Sequence, residues 1–503
     1  MVHKMIKNKF YITTSIIYTN GPPHIGHALE EIQADAIARF HRLKGDDVFF
    51  LTGSDEHGIK NFRAAKEADK TPQAFVNINT GYIKEILKLF KVSNTDYIRT
   101  TDKERHWPTA QDIWTKLVKS GDIYKKEYEG KYCTGCEAFV KDSDLFQGKC
   151  KLHNKEPEIL HEENYFFKLS KYQNQLIKLI ESDEYKIIPT SKKNEILNFI
   201  KTGLEDVSFS RSKEKLSWGI PVPGDETHTM YVWCDALTNY LSGIGYTTDK
   251  EKFNKYWPAD VHLVGKDIIR FHAVFWPAML LSVGLPLPKQ LLVHGFLSSR
   301  GKKMSKSTGN VIDPLTQIQK YGPEAVRYYL LAGITSDDDA DYSNAELISK
   351  TNSDLANGLG NLVNRVLTLT EKNFDGKVPP KYDGEIKEKF KDVPTKVENL
   401  INEFKLHHAV EEIMKFVYEL NKYVNDKEPW KIKDKDELGK IMYELLEGIR
   451  LSSILLHPFV PDTCDRIREQ LGLTEAPVWK DLEWGKLEGK IIKGEVLFKK
   501  IEV

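Results

Sequence analysis

The segment Tyr18-Thr19-Asn20-Gly21-Pro22-Pro23-His24-Ile25-Gly26-His27 joins a strand-like run to a helix-like run, with two imidazoles at the joint. Upstream, Phe10-Tyr11-Ile12-Thr13-Thr14 is aromatic and β-branched, as a short buried strand requires, while downstream Ile25, Leu29, Ile32, Ala36 and Phe40 recur with a helical period. Val48-Phe49-Phe50-Leu51 then closes a β-α-β unit, which commits this part of the chain to a parallel sheet. Ligands of such sheets bind beyond the carboxyl ends of the strands, and a helix N-terminus there presents backbone N–H groups to an anion. Gly26 allows a nucleotide close to the backbone, Pro22 and Pro23 stiffen the turn, and His24 and His27 bring hydrogen-bond donors. The segment is expected to bind phosphate.

A second loop, Gly301-Lys302-Lys303-Met304-Ser305-Lys306-Ser307-Thr308-Gly309-Asn310, is basic, flanked by glycines, and preceded by the strand-like Leu291-Leu292-Val293-His294. Alone it would be a solvated loop. Together with His24-Ile25-Gly26-His27 it resembles the paired signatures of class I aminoacyl-tRNA synthetases, and the rest of the chain resembles the methionyl-tRNA synthetases among them. The fold class so implied is α/β: a Rossmann-like nucleotide-binding parallel sheet with an inserted zinc-binding connective domain, followed by an all-α helical-bundle anticodon-binding domain.

Composition is compatible with this. At 503 residues and 40% hydrophobic the chain holds ample core for several compact units. Lys+Arg and Asp+Glu both number 73, so any nucleic-acid contact must come from local patches rather than a global field. The longest apolar run, Phe271 to Leu287, contains His272 and Pro277 and falls short of a membrane span, and no apolar signal core precedes the first strand. No membrane association and a cytoplasmic location are expected. The five cysteines fit a metal site better than a disulfide framework, since Cys133, Cys136 and Cys150 share one short segment. With His153 they form a C-x2-C, C-x2-H array whose two knuckles complete four ligands, so one structural zinc with no open position is expected.

Between the signatures, Thr52-Gly53-Ser54-Asp55-Glu56-His57-Gly58 places acidic residues at a strand's carboxyl end, where they could meet a cation. Ser54 and Asp55 could equally cap a helix running from Asn61 to Ala68. The resemblance implies that Asp55 holds the substrate amino group. It implies a methionine pocket of Ile16, Tyr18, Asp55, Trp233, Ala236, Leu237, Tyr240, Ile268 and His272, with leucine at 237 where some members carry proline. It also implies ATP contacts at His24, Gly26, His27, Glu30, Gly265, Asp267 and Lys306, with His24, His27, Lys303 and Lys306 acting on the phosphates and Mg2+ accompanying ATP. An aromatic stripe such as Trp233, Leu237 and Tyr240 would otherwise be ordinary core.

From about Lys350 the chain reads as helices, and the family's anticodon readers fall on Asn361, Arg365 and Trp430, which offer edge hydrogen bonds and stacking to unpaired bases. The acidic run Asp337-Asp338-Asp339 with Asp341 is expected as a solvated loop. The expected division is 1–114 and 219–310 for the catalytic halves, 115–218 for the insertion, 311–349 for a connecting segment and 350–503 for the bundle. Because the chain stops soon after the bundle, a monomer is expected.

The implied activity is ATP-dependent joining of L-methionine to tRNA(Met), the initiator included, through an adenylate. A nucleotidylyltransferase sharing the histidine signature would lack the zinc insertion and the helical tail. A catalytically dead RNA-binding relative would not keep both signatures. Synthetases for leucine, isoleucine or valine need a large editing insertion, since one methylene is worth only about 1–3 kcal/mol. A cysteine enzyme would want a thiolate near Thr14-Ser15-Ile16-Ile17-Tyr18, and none is there.

Overall fold

The computed structural model describes residues 8–299, 301–304, 309–336 and 338–502. Its centre is a wholly parallel sheet ordered Lys186–Ile188, Gln290–His294, Val261–Gly265, Lys9–Thr14 and Asp47–Asp55, with Ile17–Tyr18 and Asp96–Arg99 also pairing with Asp47–Asp55. Parallel strands covered on both faces must be apolar on both, and this explains why the strand-forming runs show no polar alternation. Phe10, Ile12, Val48, Phe50, Val261 and Leu263 point into one core, whereas Tyr11, Phe49, Leu51 and Val264 point into the other. The first core is continuous with the helical tail, and the second takes in the returning part of the insertion.

One irregularity in the sheet shapes everything above it. Thr13 lies opposite Leu51, but Ile17 lies opposite Ser54, so the first strand carries one extra residue around Ser15-Ile16. A bulge of this kind re-aims the side chains beyond it. The Ser15 N–H, removed from that ladder, bonds the Leu263 carbonyl at 3.1 Å and a carboxylate oxygen of Glu30 at 2.6 Å.

The span 115–218 is not one body in space. Ile123–Cys133 and Glu158–Phe167 form a long antiparallel pair edged by Ala138–Phe139 and Val207–Ser208, and this pair carries the cysteine knuckles. Lys186–Ile188, between the helices Gln173–Glu181 and Thr190–Lys201, instead returns to form an edge of the main sheet. A three-residue strand has too little sequence to announce that pairing.

Two other local readings are corrected. The helix after Gly58 runs Ile59–Glu67 and is entered through Gly58 at φ +94°, with no side-chain cap, so Ser54 and Asp55 do not cap it. The acidic segment is exposed, as expected, but is not a plain loop: Ala340–Tyr342 is a strand, Asp339 accepts from the Phe296 N–H at 2.8 Å and pairs with Lys266, and Asp341 accepts from the Gly301 N–H at 2.9 Å and the Ser298 hydroxyl at 2.7 Å. Asp337 lies outside the described residues. Among the described residues no helix is long and apolar enough to cross a membrane.

The tail is a bundle built on Asn361–Phe374, Val393–Asn402, Leu406–Lys427, Lys435–Leu456 and Pro461–Gln470. It is joined to the sheet through Arg327 on the helix Pro323–Ala332. This guanidinium is fully buried, pairs with Asp35 at 2.6 Å, and donates to the carbonyls of Pro458 and Phe459 at 2.9 and 2.8 Å. Burial alone would raise the Asp35 carboxyl, but Arg327, Arg39 and Ser93 hold it below the usual range. Arg327→Met leaves Asp35 with only Arg39 as a charged partner, so it should cost roughly 3 kcal/mol. A urea or thermal midpoint equal to that of the unchanged chain would contradict this role for the joint.

Candidate active site

The helix Ile25–Leu43 begins on the rim formed by the strand ends. His24 is its N-cap: its Nδ1 accepts from the Gly26 N–H at 3.1 Å, and the Nδ1 of His27 accepts from the His24 N–H at 3.0 Å. The two rings stack with centroids 3.9 Å apart. A neutral imidazole that accepts at Nδ1 carries its proton on Nε2, so both rings are set as Nε2–H donors, the form a phosphate oxygen requires. Gly26 has a second reason to be glycine, since a Cβ there would lie 2.9 Å from the His24 ring.

The lysine loop reaches this same helix end. Leu297–Ser299 and Lys302–Lys303 form a hairpin with Ser298 opposite Lys303, turned at Gly301 with φ +68° and braced by Asp341. Beyond it, the Ile312 carbonyl accepts from the Ile25 N–H at 2.9 Å. Met304 comes within 3.8 Å of where a Gly26 Cβ would be. The loop and the helix terminus are therefore neighbours. The Lys303 side chain and all of Lys306 lie outside the described residues.

A second group on the rim consists of Glu30, Gly265, Asp267 and His294. Glu30 accepts from the Ser15 N–H and hydroxyl, both at 2.6 Å, and faces His294 Nε2 at 3.0 Å. His294 Nδ1 faces the Gly295 carbonyl at 2.8 Å, so both ring nitrogens meet acceptors and the ring is held as an imidazolium. Burial opposes that charge, but Glu30 raises the ring above its ordinary value. A Cβ at Gly265 would lie 3.0 Å from an exposed Asp267 carboxylate oxygen.

The pocket residues divide between wall and support. Tyr240 donates to His272 Nε2 at 2.7 Å, and His272 Nδ1 donates to the Ile268 carbonyl at 3.0 Å, so His272 is neutral; burial pulls it down to about 4. Trp233 stacks on Phe271 at 3.8 Å and meets the His272 ring edge-on at 6.0 Å. His272 falls within the π-helical turn Phe271–Phe275, the kind of distortion that recurs at functional sites. Ala236 and Leu237 are buried; Ile16, Tyr18 and Ile268 are half-buried on the same side of the sheet. Trp276, one helical step beyond His272, points into core against Tyr240 and Trp257 instead.

At the centre is Asp55, 6% exposed, whose Oδ1 has no hydrogen-bond partner among the described residues. Burial pushes its carboxyl well above the usual range, and Asp235, Glu137 and Glu56 push it further. Those neighbours are differently placed. Glu56 is satisfied by Arg99 at 2.7 Å, Ser54 and Thr80, and Asp235 by His57 and His106, each at 2.7 Å. Against the effect of burial, the two histidines hold Asp235 below its ordinary value. Of these four carboxyl groups only Asp55 has a buried oxygen without a partner among the described residues. No local spacing in the sequence marks His57, His106 and Asp235 as a cluster, because they meet only across the fold.

Cys133, Cys136, Cys150 and His153 bring their ligand atoms within 4.8 Å of one another and could hold a metal ion. Cys136 Sγ lies 3.6 Å from Cys150 Sγ and 3.3 Å from His153 Nδ1. A tetrahedral ion with sulfur bonds of about 2.3 Å sets its sulfurs about 3.8 Å apart, so the donor set fits zinc. Gly135 makes the fit possible, since a Cβ there would lie 2.3 Å from the His153 ring. In the bundle, Arg365 lies 5.4 Å over the Trp430 ring and bonds Asn425 at 3.1 Å, with Asn361 exposed one turn earlier. Trp430 is 50% exposed, an unusual state for a large aromatic side chain.

A family model described as tRNA synthetases class I (M) matches residues 10–150 and 140–367. A methionine–tRNA ligase of Caldanaerobacter subterraneus subsp. tengcongensis is 48% identical over 99% of this chain and 80% of its own length. The chain belongs to the methionyl-tRNA synthetase family. A second model, the anticodon-binding domain of tRNA ligase, matches residues 383–499 of this family member. A methionine–tRNA ligase of Brucella suis biovar 1 is 43% identical over 93% of both chains. The Mycobacterium tuberculosis methionyl-tRNA synthetase in complex with methionyl-adenylate superposes with a TM-score of 0.94, at 36% identity, covering 98% of this chain and 99% of that one.

Behind the phosphate end lies Glu31, buried, accepting from Thr52 and from Thr14, the latter at 3.2 Å, with its other oxygen unpartnered among the described residues. Burial, above all, raises it from 4.5 to about 8. Between those values the folded chain holds a proton that the unfolded chain has released, so stability from this group is full below 4.5 and falls as pH rises towards 8. Glu31→Gln should therefore raise the thermal midpoint at pH 8.5 and change it little at pH 5. A larger loss at pH 8.5 than at pH 5 would contradict a protonated Glu31.

Proposed function

We propose that Asp55 receives the ammonium group of methionine, in a pocket walled by Ile16, Tyr18, Trp233, Ala236, Leu237, Tyr240, Ile268 and His272. The observation that carries this is the unpartnered, buried Asp55 Oδ1 among three further carboxylates. A buried carboxylate without a partner is unstable until a cation completes it, and an apolar aromatic wall beside it suits a flexible thioether.

The enzyme joins L-methionine to tRNA(Met) in two steps. In the first, a methionine carboxylate oxygen attacks the α-phosphorus of ATP, and the bond to the β-phosphate oxygen breaks, giving methionyl-adenylate and pyrophosphate. A carboxylate is already nucleophilic, so the step needs alignment and charge neutralisation rather than a base. His24 and His27 donate from Nε2 to the phosphates, and Lys303 and Lys306 neutralise the pyrophosphate charge. Glu30, Gly265 and Asp267 hold the adenosine. In the second step a hydroxyl at the tRNA 3′ end attacks the activated carbonyl and AMP leaves. Mg2+ accompanies ATP as a phosphate-bound ion that offsets its charge.

The zinc held by Cys133, Cys136, Cys150 and His153 is structural, since four protein donors leave no open position. Residues 1–114 and 219–310 form the catalytic unit, 115–218 the metal-bearing insertion that lends one edge strand, 311–349 the connection and 350–503 the bundle. Arg365 and Trp430, with Asn361, read the anticodon by stacking and edge bonding. The enzyme acts as a monomer in the cytoplasm on initiator and elongator tRNA(Met).

The test is ATP–pyrophosphate exchange across the amino acids. Exchange should depend on methionine, and Asp55→Asn should raise the methionine KM roughly 100-fold while the ATP KM moves less than about 2-fold. Stimulation by leucine, isoleucine or cysteine but not methionine would overturn the specificity. An unchanged methionine KM would overturn the role of Asp55.

A further inference from the structure

The metal knuckle and the pocket wall are connected through one side chain. Glu137 follows Cys136 directly, its backbone at φ +51° turns it away from the knuckle, and it is only 4% exposed. Its Oε1 accepts from the Tyr18 hydroxyl at 2.7 Å and from the Lys60 N–H at 2.9 Å. Gly58 supplies the space for this meeting. A Cβ there would lie 2.5 Å from the Tyr18 hydroxyl and 2.9 Å from Glu137 Oε1, and the φ of +94° already favours glycine. Tyr18 stands beyond the bulge in the first strand, so its backbone alone does not fix where its ring points. A phenol turned inward from a half-buried side chain also needs an acceptor, and Glu137 provides it.

We propose that Glu137 is a positioning residue for methionine binding: held in place by the metal-binding turn at Cys136, it fixes the Tyr18 ring against the pocket, so that metal occupancy is felt as methionine affinity. This rests on the placement of Tyr18 in the methionine pocket. It gives the structural metal a defined consequence at a site it does not touch. Loss of the ion frees the Cys133–Glu137 turn, releases the acceptor, and lets Tyr18 swing, without disturbing the phosphate end at His24 and His27.

The experiment measures methionine KM, ATP KM and kcat in pyrophosphate exchange, methionine Kd by intrinsic tryptophan fluorescence, and zinc per chain. The variants are Glu137→Ala, Glu137→Gln, Tyr18→Phe and the Glu137→Ala/Tyr18→Phe double. Removing one end of a buried hydrogen bond should raise methionine KM and Kd about 5- to 10-fold in Glu137→Ala and in Tyr18→Phe, with ATP KM unchanged and zinc retained. The double variant should be no worse than either single one, because both remove the same bond. Glu137→Gln should stay within about 2-fold, since its amide oxygen accepts from the same two donors.

Additive losses in the double variant, or Glu137→Gln as impaired as Glu137→Ala, would overturn the positioning role. Should Glu137→Ala lose its zinc, the remaining pair decides: Tyr18→Phe impaired with Glu137→Gln intact supports the link, and Tyr18→Phe unimpaired overturns it. Tyr18→Ala with unchanged methionine KM would overturn the pocket assignment itself, whereas a Tyr18→Ala effect with no effect of Glu137→Ala would overturn only the link.

Discussion

The structure depends on how one buried helix accommodates its acids. Ile25–Leu43 is covered on nearly every side, yet it carries Glu30, Glu31 and Asp35 inward. Each acid is accommodated differently: Glu30 by the Ser15 bulge and His294, Glu31 by the threonines of the two neighbouring strands and by the proton that burial keeps on it, and Asp35 by Arg39, Ser93 and Arg327. Buried acids tolerate few arrangements, because an unanswered one is destabilising by several kcal/mol. Satisfying all three fixes the helix N-terminus against the strand rim on one side and the bundle on the other. The placement of His24 and His27 at the rim therefore follows from contacts made further down the same helix.

Among Asp55, Glu56, Glu137 and Asp235, Asp55 stands apart. Around it, Glu56 is paired with Arg99, Asp235 is hydrogen-bonded by His57 and His106, and Glu137 accepts two hydrogen bonds. The protein has the donors to satisfy an acid at this rim and uses them on the neighbours. Among the described residues Asp55 Oδ1 is left without one, and this is the observation on which the proposed ammonium site rests. The low-dielectric surroundings that raise the cost of an unpaired carboxylate would strengthen its pairing with a cation.

The parallel sheet and its first crossover were legible because apolar runs of strand length alternate with a long 3.6-period helix, and the metal array because ligand spacing is local. What was not legible involves residues brought together from afar. Asp235 meets His57 and His106, and Glu137 meets Tyr18, across separations that no motif spans. The edge strand Lys186–Ile188 is too short to show a period, and the acidic segment read as solvated loop because the backbone N–H groups it accepts from leave no mark in sequence. The π-helical turns at Phe271–Phe275 and Thr351–Gly360 have the same apolar pattern as ordinary helix.

The role of Asp55 Oδ1 would be decided by a crystal structure of the enzyme with a non-hydrolysable methionyl-adenylate analogue. The analogue's ammonium nitrogen should lie about 3 Å from Asp55 Oδ1, with its thioether between Trp233 and His272. An ammonium group held elsewhere, with Asp55 Oδ1 satisfied by a protein donor, would contradict it.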